Sequence, residues 1–188
     1  MRQILCGLTI VLLAATAAPA AALDSERWYW AVGPSLVFES FSLLESVPAP
    51  LEIDDSALGA SLRVGRKVGR RVATEVALQY VPRFDFAIGV VAGDVGGYAL
   101  TGNVKGYLND ARLRGYGYFG LGVLYLDASS NATFNRSDLD GVGCVGIGLE
   151  LEASETIDVF LDLGYYRPFS DLSDYELLPL SAGVKVRF

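Results

Sequence analysis

The chain of 188 residues contains no histidine and only two cysteines, Cys6 and Cys144. Without histidine, a Ser-His-Asp triad and a His-ligated zinc site are excluded. Cys6 lies in an N-terminal apolar segment that we expect to be removed, so the remaining single cysteine can form neither an internal disulfide nor a cysteine-based metal cluster. Ser-Lys and paired-aspartate chemistry are still open in principle, but the inward-facing acids Glu150, Glu152, Asp158 and Asp162 fit a structural charge network as well as a catalytic dyad. We therefore predict a protein that is not an enzyme and needs no cofactor.

Long hydrophobic runs are also missing after the first 22 residues, although 52% of the chain is hydrophobic and the mean hydropathy is +0.35. A membrane-spanning helix needs about 20 consecutive apolar residues. The apolar residues are instead dispersed along the chain. A chain that is hydrophobic in total but nowhere continuously so is typical of a transmembrane barrel.

The N-terminus has the features of a secretory signal peptide. Arg2 supplies the charged start, residues 4–17 are apolar, and residues 18–22 are small. We expect cleavage after Ala22, which leaves one domain at 23–188; cleavage after Ala20 and an uncleaved anchor helix are the alternatives.

Basic tracts are scarce. The chain has 15 basic and 22 acidic residues, a net charge of −7, which argues against a nucleic-acid partner. The acidic residues of the segments that we expect to be loops, such as Asp54 and Asp55, lack the spacing of a calcium-binding loop.

Apolar residues recur at every second position in eight segments, which is the pattern of a strand with one apolar face. The clearest example is the end of the chain, where Val184, Val186 and Phe188 alternate with Lys185 and Arg187. The predicted strands are 28–41, 57–67, 71–84, 98–108, 113–127, 141–152, 156–167 and about 176–188, of which 113–127 is the least regular.

The connections between these strands alternate in length. Residues 68–70, 109–112 and 153–155 form tight turns, whereas 42–56, 85–97, 128–140 and about 168–175 are long. This alternation predicts an all-β fold: an eight-stranded, antiparallel, up-and-down transmembrane β-barrel with short periplasmic turns and four long extracellular loops.

Charged residues on the minor face of the strands are predicted to fill the barrel. An eight-stranded barrel is just wide enough to be filled by its own side chains, and charges of both signs can pair there. The predicted interior charge network consists of Arg63, Glu75, Lys105, Glu150, Asp158, Asp162, Lys185 and Arg187, with Glu39, Lys67 and Glu152 in the wider set. A gated proton or ion path along this column is the alternative interpretation.

Aromatic residues cluster near the predicted strand ends, as expected for two girdles at the membrane interfaces. The rim on the short-turn side includes Trp28, Tyr29, Trp30, Tyr107, Tyr116, Tyr118 and Phe188. The rim on the loop side includes Phe38, Phe41, Tyr80, Phe84, Tyr98, Tyr125 and Tyr165.

The chain resembles the small eight-stranded outer-membrane β-barrel proteins of Gram-negative bacteria, the Omp-type barrels. The resemblance rests on the small residues that end the signal and on the segments 28–33, 116–122 and 183–188. It implies a location in the outer membrane, contact with outer-membrane lipid and lipopolysaccharide, and an encounter with the barrel-assembly machinery. Val184, Val186 and Phe188 would form the assembly signal. Lipid-modifying members of this group rely on a histidine, which this chain lacks.

Our main functional hypothesis is an outer-membrane barrel with a structural or surface-interaction role, whose extracellular partner is unknown. The alternative is a narrow porin-like channel for small solutes or ions. A soluble, lipocalin-like barrel is a third hypothesis, and it requires an apolar interior and a polar outer wall. Charged residues on the minor face, such as Arg63 and Glu75, oppose it.

Overall fold

The computed structural model describes residues 28–41, 52–53, 56–88, 91–130, 135–170, 172 and 175–188. No helix among them is long and apolar enough to cross a membrane. The predicted signal peptide, 1–22, lies outside the described residues. The strands are β1 (Trp28–Phe41), β2 (Glu52–Ile53), β3 (Ser56–Lys67), β4 (Val72–Ile88), β5 (Val91–Tyr107), β6 (Leu113–Ser130), β7 (Asn135–Glu152), β8 (Ile157–Pro168) and β9 (Tyr175–Arg187).

Eight long strands form one closed ring. Each pairs with its neighbours in antiparallel register, in the order β4-β3-β1-β9-β8-β7-β6-β5, and pairing of β4 with β5 closes the ring. The two ends of the chain's barrel segment are joined directly, because Trp28 and Phe188 exchange backbone hydrogen bonds of 3.3 and 3.0 Å. The predicted eight-stranded up-and-down barrel is thereby confirmed.

Strands β4 to β7 continue beyond the predicted ends. Residues 85–88 pair with 91–94, so much of the predicted loop 85–97 is a paired ribbon, and strand pairing also covers the start and end of the predicted loop 128–140. The two-residue strand β2 pairs with β4 at the same end. The register of β4 and β5 shifts between Val81 and Phe84, as at a β-bulge. The sequence pattern did not indicate these extensions.

The turns at the opposite end are tight. The amide of Val68 donates to the carbonyl of Val72 at 3.0 Å, and that of Ala153 donates to Ile157 at 2.9 Å. Ser154 Oγ accepts a further bond from the Ile157 amide at 3.1 Å. These contacts join consecutive strands as hairpins.

Burial alternates with a period of two along every long strand. In β8, for example, Asp158, Phe160 and Asp162 are buried, whereas Val159 and Leu161 are exposed. The outer wall is therefore apolar and the interior contains the charges. This is the reverse of what a soluble, lipocalin-like barrel requires. The irregular segment 113–127 follows the same rule, since Tyr118 is buried and Phe119 is exposed.

The apolar outer wall leads to a prediction about Leu161, which lies in the middle of β8 between Leu149 and Ala182. We expect Leu161→Arg to lower the free energy of unfolding in bilayers by about 2–4 kcal/mol, because an arginine at the bilayer midplane is poorly solvated. Leu108→Arg, at the rim beside a turn, is the control and should cost about 0–1 kcal/mol. Equal effects in denaturant titrations would show that Leu161 does not face hydrocarbon.

Candidate functional site

The interior of the barrel has three layers. Going from the short turns towards the long loops, β7 places Glu150, then Cys144, then Val142 inside, and β9 places Lys185, then Ser181, then Leu177. The ionic layer consists of Arg63, Glu75, Lys105, Arg114, Glu150, Asp158, Asp162, Lys185 and Arg187. The polar band consists of Ser35, Ser61, Gln79, Thr101, Asn103 and Ser181, and the apolar layer of Val37, Val81, Ala99, Leu124, Leu126, Val142 and Leu177.

A bidentate ion pair crosses the middle of the barrel. Arg63 on β3 donates from Nη1 and Nη2 to the two carboxylate oxygens of Asp162 on β8, at 2.5 and 3.0 Å. The Tyr116 hydroxyl donates to the same carboxylate at 2.9 Å. The Arg63 guanidinium also lies 4.9 Å from the centre of the Phe160 ring. Because β3 and β8 are not neighbours in the ring, this pair braces the barrel from inside.

A second pair joins Lys105 on β5 to Glu75 on β4, with Nζ 3.0 Å from Oε2. The Tyr29 hydroxyl donates to the same Glu75 oxygen at 2.9 Å. The Lys105 ammonium lies 4.3 Å from the centre of the Tyr116 ring, in cation–π geometry. Tyr116 therefore contacts both pairs of the central region.

A larger cluster lies nearer the short turns, around the carboxylates of Glu150 and Asp158. Arg114 Nη2 is 3.0 Å from both of them. Lys185 Nζ contacts Glu150 and is 2.9 Å from Asp158. Arg187 Nη2 is 3.2 Å from Asp158. Each carboxylate is thus shared between at least two cations.

Burial makes these contacts necessary. Glu150, Asp158 and Lys185 are each at most 1% exposed. A buried charge without a partner costs several kcal/mol, whereas a paired and hydrogen-bonded charge can be accommodated. The ionic layer is therefore a mutually dependent set, in which the loss of one partner leaves another charge uncompensated.

The structure places all eight residues of the predicted interior network in the ionic layer, and it adds Arg114. Sequence analysis missed Arg114 because β6 is the least regular strand. The signal was present nonetheless, since Arg114 shares its strand parity with the inward-facing Tyr118. Lys67 and Glu152 are half-buried near the short turns, and the side chain of Glu39 lies outside the described part of the structure.

Four tyrosines that were assigned to the girdle of the short-turn rim instead point inward: Tyr29, Tyr107, Tyr116 and Tyr118 are buried. The reason is room. A Cβ on Gly65 would lie 2.4 Å from the Tyr29 ring, and one on Gly148 would lie 2.5 Å from the Tyr116 ring. Glycine on one strand therefore lets a ring from another strand lie flat against the inner wall. The rim residues that do face outward include Trp28, Trp30 and Phe188.

Side-chain hydrogen bonds link residues of the polar band to each other and to Cys144. Cys144 is buried, and its thiol donates to Asn103 Oδ1 at 3.2 Å. Gln79 Nε2 donates to Ser35 Oγ at 2.6 Å. Among the described residues, no three acidic or cysteine side chains come together as metal ligands.

The predicted assembly segment forms the end of β9. Val184 pairs with Val32 and Val186 with Trp30, both on β1. Val184 and Phe188 are exposed on the outer wall, at 40% and 62%. The segment therefore lies at the seam where the last strand of the ring meets the first.

Comparison with known proteins gives the following matches. The model of the family "Outer membrane protein beta-barrel domain" matches residues 8–188. One similar solved structure is that of Ail, the attachment invasion locus protein of Yersinia pestis, in complex with the heparin analogue sucrose octasulfate, with 16% identity, a TM-score of 0.60, and coverage of 88% of this chain and 100% of that one. The outer membrane protein OprG of Pseudomonas aeruginosa is similar with 12% identity, a TM-score of 0.63, and coverage of 88% of this chain and 97% of that one. Neisserial surface protein A is similar with 16% identity, a TM-score of 0.56, and coverage of 86% of this chain and 97% of that one. At these identities the likeness shows the fold. No curated protein matches.

The crossing pair leads to a prediction about coupling. Arg63→Met alone leaves the Asp162 carboxylate buried without its cation, so we expect it to lower the free energy of unfolding by about 3–5 kcal/mol. The double variant R63M/D162N removes both charges. Its loss of unfolding free energy should be smaller than the sum of the losses in the two single variants, by up to about 3 kcal/mol.

Denaturant titration of the four proteins in one lipid measures this coupling. The exposed pair Arg71–Asp110, with 3.4 Å between Nε and Oδ2, is the matched control. Its cycle should give about 1 kcal/mol or less. Additive effects at Arg63 and Asp162 would contradict a structural interdependence.

Proposed function

Because the chain belongs to the family of the outer membrane protein beta-barrel domain, we propose that it is a closed, non-enzymatic barrel that serves the outer membrane as a rigid platform for its long loops. Its position in the outer membrane of a Gram-negative bacterium follows from the family. The proposal concerns what the barrel does there. The observation that supports it best is the filled interior.

Two of the three interior layers oppose a path through the barrel. In the apolar layer, Val37, Val81, Leu124 and Val142 are 0% exposed, so water does not reach them. In the ionic layer, the cations and carboxylates contact each other directly, as in the Arg63–Asp162 pair. An ion would need both to break these pairs and to cross a dry apolar layer, which is costly.

The loop side supports a role in contact with the surroundings. The segments 42–56, 85–97, 128–140 and 168–175 contain many acidic residues and a single basic one, Arg136. Within the described part, Asp140 fixes the β8–β9 connection, since its Oδ2 accepts from the amides of Ser170 and Leu172 at 2.9 and 3.2 Å. The Ail structure contains a polyanionic ligand. Because these loop segments are acidic, we do not propose a polyanionic partner for this chain.

Conductance measurements test the closed interior. We expect the purified barrel to give no unitary conductance steps in a planar bilayer, and R63A/D162A to remain silent because the apolar layer is intact. Insertion is verified by the emission of Trp28 and Trp30. Reproducible steps from the wild-type protein would overturn the proposal in favour of a narrow channel.

We propose further that Val184, Val186 and Phe188 are the segment that the barrel-assembly machinery reads. Support comes from their place at the seam of the ring, where the last strand must be presented before closure. Phe188→Ala should lower the folded, heat-modifiable fraction in outer-membrane preparations severalfold. Phe169→Ala is the matched control, because Phe169 is an equally exposed aromatic (63% against 62%) away from the seam. An unchanged folded fraction in Phe188→Ala would refute the assignment.

A further inference from the structure

The outer wall is not uniformly bulky. A trough crosses it between two rows of outward-facing residues that are paired strand to strand from β3 to β8. The first row is Arg66, Thr74, Val104, Phe119, Val145 and Tyr165. The second is Val64, Val76, Gly102, Leu121, Gly143 and Arg167. Small residues, Gly102 and Thr74, keep its floor low, and towards its upper end the Phe169 ring lies over Gly143, where an added Cβ would be 2.8 Å from that ring.

The dimensions suit one acyl chain. Five strand-to-strand steps of about 4.8 Å give a length of about 24 Å. With strands inclined by about 45°, the trough rises about 17 Å, which is close to the depth of one leaflet of a bilayer. Its walls are apolar, since Val64, Phe119, Leu121 and Val145 are all exposed on the outer surface.

Arg66 lies at the lower end of the trough, beside the short turns, and among the described residues it has no carboxylate partner. The Arg66 guanidinium lies 5.6 Å from the centre of the Trp28 ring. Within the part of the chain that the structure describes, no carboxylate lies within ion-pair distance of this guanidinium. An anionic group beside it would supply the opposite charge.

The upper end differs. Arg167 is exposed, and its Nε lies 3.7 Å from the carboxylate of Glu176. Arg167 therefore has an acidic neighbour, whereas Arg66, at the level of Trp28, has none among the described residues.

We propose that this trough is a binding site for one anionic phospholipid of the periplasmic leaflet. Its phosphate contacts Arg66 beside Trp28, and one acyl chain lies along the trough over Gly102. This assignment goes beyond general contact with lipid, because it predicts selectivity for a headgroup at one place on the wall. Trp28, one of only two tryptophans in the chain, is a natural reporter.

The experiment uses the full barrel with Trp30→Phe, so that Trp28 is the only tryptophan. The protein is reconstituted in phosphatidylcholine vesicles with a minor fraction of brominated phosphatidylglycerol or brominated phosphatidylcholine, and quenching of Trp28 is compared. We expect brominated phosphatidylglycerol to associate with the trough about fivefold more strongly than brominated phosphatidylcholine. One basic residue near an anionic lipid contributes about 1 kcal/mol, which corresponds to this factor. Both leaflets contain the probe, so orientation of the protein does not affect the result.

Matched variants separate the site from general attraction to basic turns. Arg66→Gln should abolish the preference, whereas Arg70→Gln, on the adjacent turn, should retain it. Gly102→Leu fills the trough and should also abolish the preference. Gly106→Leu is its control on the same strand, since a Cβ at Gly106 has nothing within 4 Å.

Equal quenching by the two lipids in the Trp30→Phe protein would overturn the proposal. So would a preference that survives Arg66→Gln, or one that is lost only in Arg167→Gln, which would place the headgroup at the opposite rim. Native mass spectrometry of the unsubstituted protein gives a second readout: one retained phosphatidylglycerol is expected, and it should be absent from Arg66→Gln.

Discussion

Inside a bilayer no water is available to the backbone, so every strand must be hydrogen-bonded on both sides by another strand. The β4–β5 pairing meets this requirement, because it joins the two ends of a sheet that would otherwise have open edges. Closure then imposes the second constraint. Side chains of a strand alternate between its faces, so every second residue enters a narrow interior and the others face hydrocarbon.

The narrow interior explains why the charges are stable there. Residues on strands that are not neighbours come within contact distance, and Arg63 reaches Asp162 across the lumen. Tyrosine rings lie over glycines of neighbouring strands and donate hydroxyl hydrogen bonds to the same carboxylates, as Tyr29 does to Glu75. Each buried charge thus has more than one partner. The apolar layer on the loop side completes the closure, because it excludes the water that would weaken these pairs.

The outer wall is subject to a different requirement. It has to be apolar, but it does not have to be smooth, because acyl chains adapt to its surface. A glycine that faces outward, such as Gly102, therefore creates a depression without loss of interior packing. The trough between Arg66 and Arg167 includes this depression, and at its lower end Arg66 has no carboxylate partner among the described residues.

Local, period-two patterns predicted the number of strands and the face that each strand turns inward. The short gaps between these patterns predicted the tight turns. The same rule places Arg114 inside the barrel, and the strand parity of Tyr116 likewise places it inside although it lies near a strand end. The extensions of β4 to β7 were not predictable in this way. They leave the hydrocarbon region, so neither face needs to be apolar, and the register shift at Val81 interrupts the pattern.

The alternation along each strand indicates which of its residues face inward, and it predicts interior charges of both signs, because alternation is a property of one strand alone. Which of these charges meet depends on how the strands are arranged in the closed ring. Arg63 and Asp162 are 99 positions apart, and their contact depends on the tilt and stagger with which the ring closes. The same stagger aligns the outward residues of six strands into one trough, since a row perpendicular to the strands exists only after every register has been set.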